Sequence, residues 1–106
     1  SVPIASHVLM YAARLISATH PTEKEASAAA RQYVRYGASP RGMQALILAA
    51  KITALLAGRY NVSFDDLKLS ALPALRHRVI LNFEAQAEGV IADDVVKQII
   101  ESVKVE

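Results

Sequence analysis

The stretch "YGASPRGMQALILAAK", residues 36–51, decides how this chain folds. Gly37 suits a left-handed helix C-cap, because glycine enters that region without steric cost. Ser39 is a strong N-cap type, and Pro40 is preorganised for the first helical position. Between residues 43 and 57 only Gln44, Lys51 and Thr53 are polar. A helix apolar nearly all round is expected at the centre of a bundle, with Gly58 closing it. Arg41 stands out against this background. A helix start presents free N–H groups and a partial positive charge. An arginine there adds a planar, permanently charged fork that matches phosphate oxygens. The same residues also describe a capped helix start with a solvated arginine, and taken alone they leave both readings open.

The flanks read mainly as helix too. Upstream, Ile4, Val8, Tyr11, Ala12, Leu15 and Ile16 recur at spacings of three and four. His20-Pro21 ends that segment, since a residue before proline is pushed out of the α region. Thr22 and Glu25 have capping-box spacing. They predict an alanine-rich helix through "EASAAARQYVRY" as far as Gly37, its start less sharply marked than its end. Downstream, Ser63 and Asp66 cap a helix whose apolar face is Phe64, Leu67, Ala71, Leu72 and Leu75. Pro73 interrupts it or tightens its last turns. "ILNFEAQAEG" reads as a connector with some turn and helix character. The last helix carries Val95, Val96, Ile99, Ile100 and Val103 on one stripe. Asp93 and Asp94 sit in its first turn, where the helix dipole favours anions. "YNVSFDDL" and "GVIADDVV" share a β-prone piece before paired aspartates, so residues 60–62 and 89–91 are expected to pair as a short bridge. The expected fold is all-α: a bundle of four to five helices with, at most, that two-residue β bridge.

Composition narrows the function. The 106 residues make one domain, and 53% are hydrophobic, so a real core is expected. The absence of cysteine excludes disulfides and thiolate zinc sites and makes a reducing cytoplasm the expected setting. A net charge of +2 is too small to argue for nucleic acid. The opening "SVPIASHVLMYAARL" has no basic region before its apolar part, so no signal peptide is expected. The longest apolar stretch, residues 45–57, is interrupted by Lys51 and Thr53 and falls well short of the ~20 residues of a membrane span. No phosphate loop, dinucleotide fingerprint or H-E-x-x-H motif occurs. His7, His20 and His77 lack ligand spacing, and no metal site is expected. The aspartate pairs read as capping and dipole residues, and Ser39 has no base beside it.

At this point the chain resembles a known family. Residues 36–41 (Tyr-Gly-Ala-Ser-Pro-Arg), a long apolar helix ending in Gly58-Arg59, then Val62 and Asp65-Asp66, then Leu75, His77 and Arg78 follow in the order of the C-terminal lid of MoxR-family AAA+ ATPases. The leading "YAARLISATH" fits as well, with His20 where the family often has arginine. The resemblance covers nearly the whole chain. It implies a helical lid that follows an α/β ATPase core and folds over its nucleotide. It implies that Arg41 is the sensor 2 arginine reaching the ATP phosphates, presented by Ser39 and Pro40, and that the lid couples nucleotide state to ring motion. It implies ATP and magnesium as cofactors of the parent, a homo-oligomeric ring, commonly a hexamer, and chaperone-like work on partners with von Willebrand factor A domains. His77 and Arg78 have no fixed role in it; they either contact the core or a neighbouring subunit, or are solvated charges flanking Leu75. The core is expected upstream of Ser1, so this chain by itself should not hydrolyse ATP. Two other classes compete: a stand-alone protein-interaction module, and a helix-turn-helix nucleic-acid binder. The second is disfavoured because residues 40–57 are too apolar for a groove.

Overall fold

The computed structural model describes residues 2–105. It contains α1 (Ser6–Ala18), α2 (Ala28–Tyr33), β1 (Val34–Tyr36), α3 (Pro40–Leu56), α4 (Phe64–Leu75), β2 (Ile80–Leu81), α5 (Phe83–Glu88) and α6 (Ala92–Ser102). The bundle is helical, as its sequence patterning implies. Its core is built from Tyr11 and Leu15 of α1, Leu46 of α3, Leu67 and Leu75 of α4, and Val95, Val96 and Ile99 of α6, all fully buried. α3 and α4 form the most extensive helix pair.

Several local expectations are corrected. The alanine-rich helix does not start at Thr22. Ser27 is its N-cap, accepting from the Ala30 N–H at 3.0 Å while its own hydroxyl donates to the Ala18 carbonyl at 3.1 Å. The helix also stops early, at Tyr33, and residues 34–36 continue as β1. β-branched Val34 and the aromatic Tyr36 are better strand formers than helix formers, so tertiary pairing overrides the expected continuation. The β pair therefore lies elsewhere than residues 60–62 and 89–91. β1 runs antiparallel to β2, with Val34 opposite Leu81 and Tyr36 opposite Ile80. Asn82 locks the pairing. Its N–H donates to the Tyr33 carbonyl at 2.8 Å, its amide nitrogen donates to the Gln32 carbonyl at 2.8 Å, and its side-chain oxygen caps α5. That short helix occupies the predicted connector and ends at Gly89, left-handed at φ 74°.

Gly37 is not left-handed; among the described residues only Gly58 and Gly89 have positive φ. Gly37 is required for space. A Cβ there would lie 2.7 Å from both the carbonyl oxygen and Oγ1 of Thr19, and 2.8 Å from the His20 ring. Pro73 sits inside α4 without ending it.

The largest correction concerns α3. It is not sheathed on all sides. Gly42, Leu46, Ala50 and Ala54 form its buried stripe, each four residues from the next. The opposite side leaves Leu48, Ile52, Leu55 and Leu56 exposed, at 60%, 48%, 62% and 83%. Its apolar composition thus serves two surfaces, only one of which the chain itself covers.

Candidate functional site

The site gathers at the N-terminal end of α3. Ser39 is the N-cap, accepting from the Arg41 N–H at 3.2 Å, and Pro40 opens the helix. The loop before them is held from α1. Buried Thr19 donates its hydroxyl to the Ile16 carbonyl at 2.6 Å and accepts from the Ala38 N–H at 3.0 Å. His20 Nε2 lies 2.6 Å from the Ala38 carbonyl oxygen. A carbonyl only accepts, so this ring nitrogen carries the proton. Both polar groups of the Ala38 peptide are thereby satisfied by the end of α1, and the direction in which α3 starts is set.

Arg41 is exposed on this fixed start. The other half of the site comes from the turn after α4. Leu75 is buried there, whereas His77 and Arg78 are exposed. β2 begins two residues after Arg78, and β1 ends five residues before Arg41. The strand pairing therefore brings the two segments side by side. Arg41 and Arg78 line one open hollow together with Gln44, Ala45 and Leu48. His77 does not line it. No carboxylate lines it either, and no group of three His, Asp or Glu among the described residues is arranged to hold a metal ion.

The second conspicuous charge pair is structural. Arg59, just past the end of α3, grips Asp66 with both terminal nitrogens, one at 2.6 Å. Asp66 also accepts from the Ser63 N–H at 2.8 Å, completing the capping box of α4. These donors, the Arg59 fork first, hold the fully buried carboxylate well below the usual range, at about 2. The joint between α3 and α4 is thus clamped by an ion pair, and both oxygens of the buried carboxylate are engaged within the fold. Sequence reasoning recognised Asp66 as a cap but not as this partner of Arg59. It also missed Thr19 as a support of the site, because a threonine does not signal a contact made only by tertiary packing.

The comparisons agree with this architecture. The AAA lid domain family matches residues 26–99. A protein called YeaC from Bacillus subtilis is 44% identical over 68% of this chain, and the match takes in 22% of its own length. The chaperone MoxR1 of Mycobacterium tuberculosis is 32% identical over 92% of this chain and 26% of its own. A crystal structure from Cytophaga hutchinsonii, described as a "putative ATPase", superposes with a TM-score of 0.87 at 36% identity, over 97% of this chain and 31% of that one. The chain spans about a quarter of the length of the curated relatives it matches. Sequence family and fold lead to one assignment: the chain belongs to the AAA lid domain family, as the lid of a MoxR-type AAA+ ATPase.

Proposed function

We propose that this lid reports the state of a nucleotide bound by an ATPase core in the same parent protein, and that Arg41 is the reporting group. The observation that carries the reading is the Arg41 guanidinium, unpaired among the described residues, on a rigidly held helix start beside a hollow without a carboxylate. Such a surface favours an anion through both the arginine fork and the helix N-terminus. It offers no carboxylate to the magnesium that accompanies ATP, so that ion would be held by the core. Contact with the terminal phosphate before hydrolysis, and its loss afterwards, gives the lid two preferred positions. The exposed stripe of Leu48, Ile52 and Leu55 continues from Arg41 along the same side of α3, so a core that delivers the phosphate to Arg41 also covers this stripe. In this reading the chain alone hydrolyses nothing. The parent works as a ring in the cytoplasm, commonly of six subunits, remodelling partner proteins with von Willebrand factor A domains.

The test is Arg41→Ala in the full-length parent. A charge-assisted contact of this kind is worth roughly 1.5–3 kcal/mol, so ATP turnover or its coupling to ring motion should fall about tenfold or more. Circular dichroism melts of the lid should be unchanged, because Arg41 has no partner among its described residues. Normal turnover with normal coupling would remove the sensor role.

A further inference from the structure

The structure assigns every arginine but two to a partner within the fold. Arg14 donates to the carbonyls of Lys104 and Val105 and lies over the Tyr11 ring. Arg31 donates to the Lys24 carbonyl, and Arg35 lies over the Tyr36 ring. Arg59 pairs with Asp66 and Arg76 with Asp93. Among the described residues, only Arg41 and Arg78 of the seven arginines have no such partner, and these two line the same hollow.

We infer that Arg78 is a second guanidinium for the phosphate chain of the nucleotide that Arg41 senses, making the hollow a two-arginine clamp; this rests on the reading of Arg41 given above. The placement of Arg78 is built. A Cβ on Gly42 would sit in ordinary contact with Arg78 Cδ at 3.6 Å and Leu75 Cδ2 at 3.7 Å, so the arginine stem lies alongside the first turn of α3; the approach that requires glycine there is to Ala38 Cβ, at 2.9 Å. The stem is supported by packing while the charged head is left to solvent, beside Arg41. Two guanidiniums and a positive helix end in one place repel each other, and among the described residues no carboxylate lines the hollow to offset that repulsion. A ligand bearing several negative oxygens offsets it. A nucleoside triphosphate has that chemistry; a single carboxylate would leave the hollow net positive.

The experiment separates charge from packing. In the full-length protein, ATP affinity is measured by titration with a fluorescent ATP analogue for Arg78→Met, Arg78→Lys and Arg41→Ala. Methionine keeps the stem against Gly42 and removes the charge; lysine keeps the charge. Arg78→Met should weaken ATP binding about tenfold, and Arg78→Lys should recover most of it. The salt dependence of binding should flatten in Arg78→Met and persist in Arg78→Lys. Wild-type affinity in Arg78→Met overturns the inference. If Arg41→Ala weakens binding while Arg78→Met does not, the sensor reading stands and the clamp falls; if both are silent in binding, the clamp falls and the turnover of Arg41→Ala decides the sensor reading. A ring that dissociates in Arg78→Met at unchanged ATP affinity would give Arg78 to a neighbouring subunit and also overturn the clamp. Should Arg78→Met lose its native circular dichroism, Arg78→Lys decides alone through its affinity and salt slope, an affinity below that of Arg41→Ala counting against the clamp.

Discussion

His20 and Ala38 are 18 residues apart in sequence, yet the His20 imidazole donates from Nε2 to the Ala38 carbonyl oxygen across 2.6 Å. Together with the Thr19 hydroxyl on the Ala38 N–H, this bond ties the end of α1 to the loop that starts α3. Gly37 permits the approach, having no side chain to meet Thr19.

That close approach is sensitive to one added methyl. Gly37→Ala should destabilise the chain by about 2 kcal/mol, since the new Cβ would meet backbone and ring atoms that cannot swing away. Gly89→Ala meets nothing within 4 Å and should cost only the strain of its positive φ, about 1 kcal/mol. Urea unfolding of the two variants gives the comparison, and an equal cost would contradict the packing argument.

The Arg59–Asp66 clamp makes stability depend on acid pH. Asp66 is held at about 2 against an ordinary value of 3.8, so the unfolded chain binds its proton more readily than the folded one. The contribution, about 2 kcal/mol, is therefore complete above pH ~4–5 and is lost as pH falls toward 2. Asp66→Asn should lower stability at pH 7 and flatten this part of the pH profile. Urea midpoints at pH 7, 4 and 2 measure both effects; a wild-type slope retained in the variant would assign the acid sensitivity to another carboxylate.

Tyr11 is fully buried, and its hydroxyl has no hydrogen-bond partner among the described residues. Burial pushes its ionisation up, with Arg14 opposing more weakly. Its ring meets Phe64 edge-on at 5.5 Å, a contact that phenylalanine would keep. Tyr11→Phe should be neutral or stabilising by up to about 1 kcal/mol, because it removes an unsatisfied polar atom and preserves the packing. A thermal melt showing a clear loss would mean that the hydroxyl is satisfied in solution.

Leu46 and Leu48 are two residues apart and face opposite ways on α3, one fully buried and one 60% exposed. Leu46→Ala should cost about 3 kcal/mol. Leu48→Gln combined with Ile52→Gln should change the stability of the lid by less than about 1 kcal/mol. In the full-length protein the same pair should impair ATP turnover, because the stripe is where we place the core. Denaturant unfolding of the lid and turnover of the parent read the two effects separately; normal turnover in the double variant would detach the stripe from function.

Much of this protein is legible in local sequence. Ser39-Pro40 and Ser63 with Asp66 mark the starts of α3 and α4, because capping is settled within three residues. Gly58 marks an end for the same reason. The apolar stripes of α1 and α6 name most of the core. The readings that required correction share a different cause. Residues 34–36 leave the helix to pair with Ile80 and Leu81, over forty positions away in the chain. Gly37 looked like a helix cap and is instead a point of close approach. Residues 43–57 looked like a buried rod because periodicity cannot tell a face covered by this chain from a face covered by something else.

The sequence by itself determined α1, α3, α4 and α6, the N-caps of α3 and α4, the family resemblance and the position of Arg41, all of which depend on near neighbours or on ordered motifs. Only the tertiary structure placed Arg78 beside Arg41, tied Arg59 to Asp66 and exposed one side of α3. Those relationships arise from strand pairing and helix packing between distant segments, whose geometry no local pattern encodes.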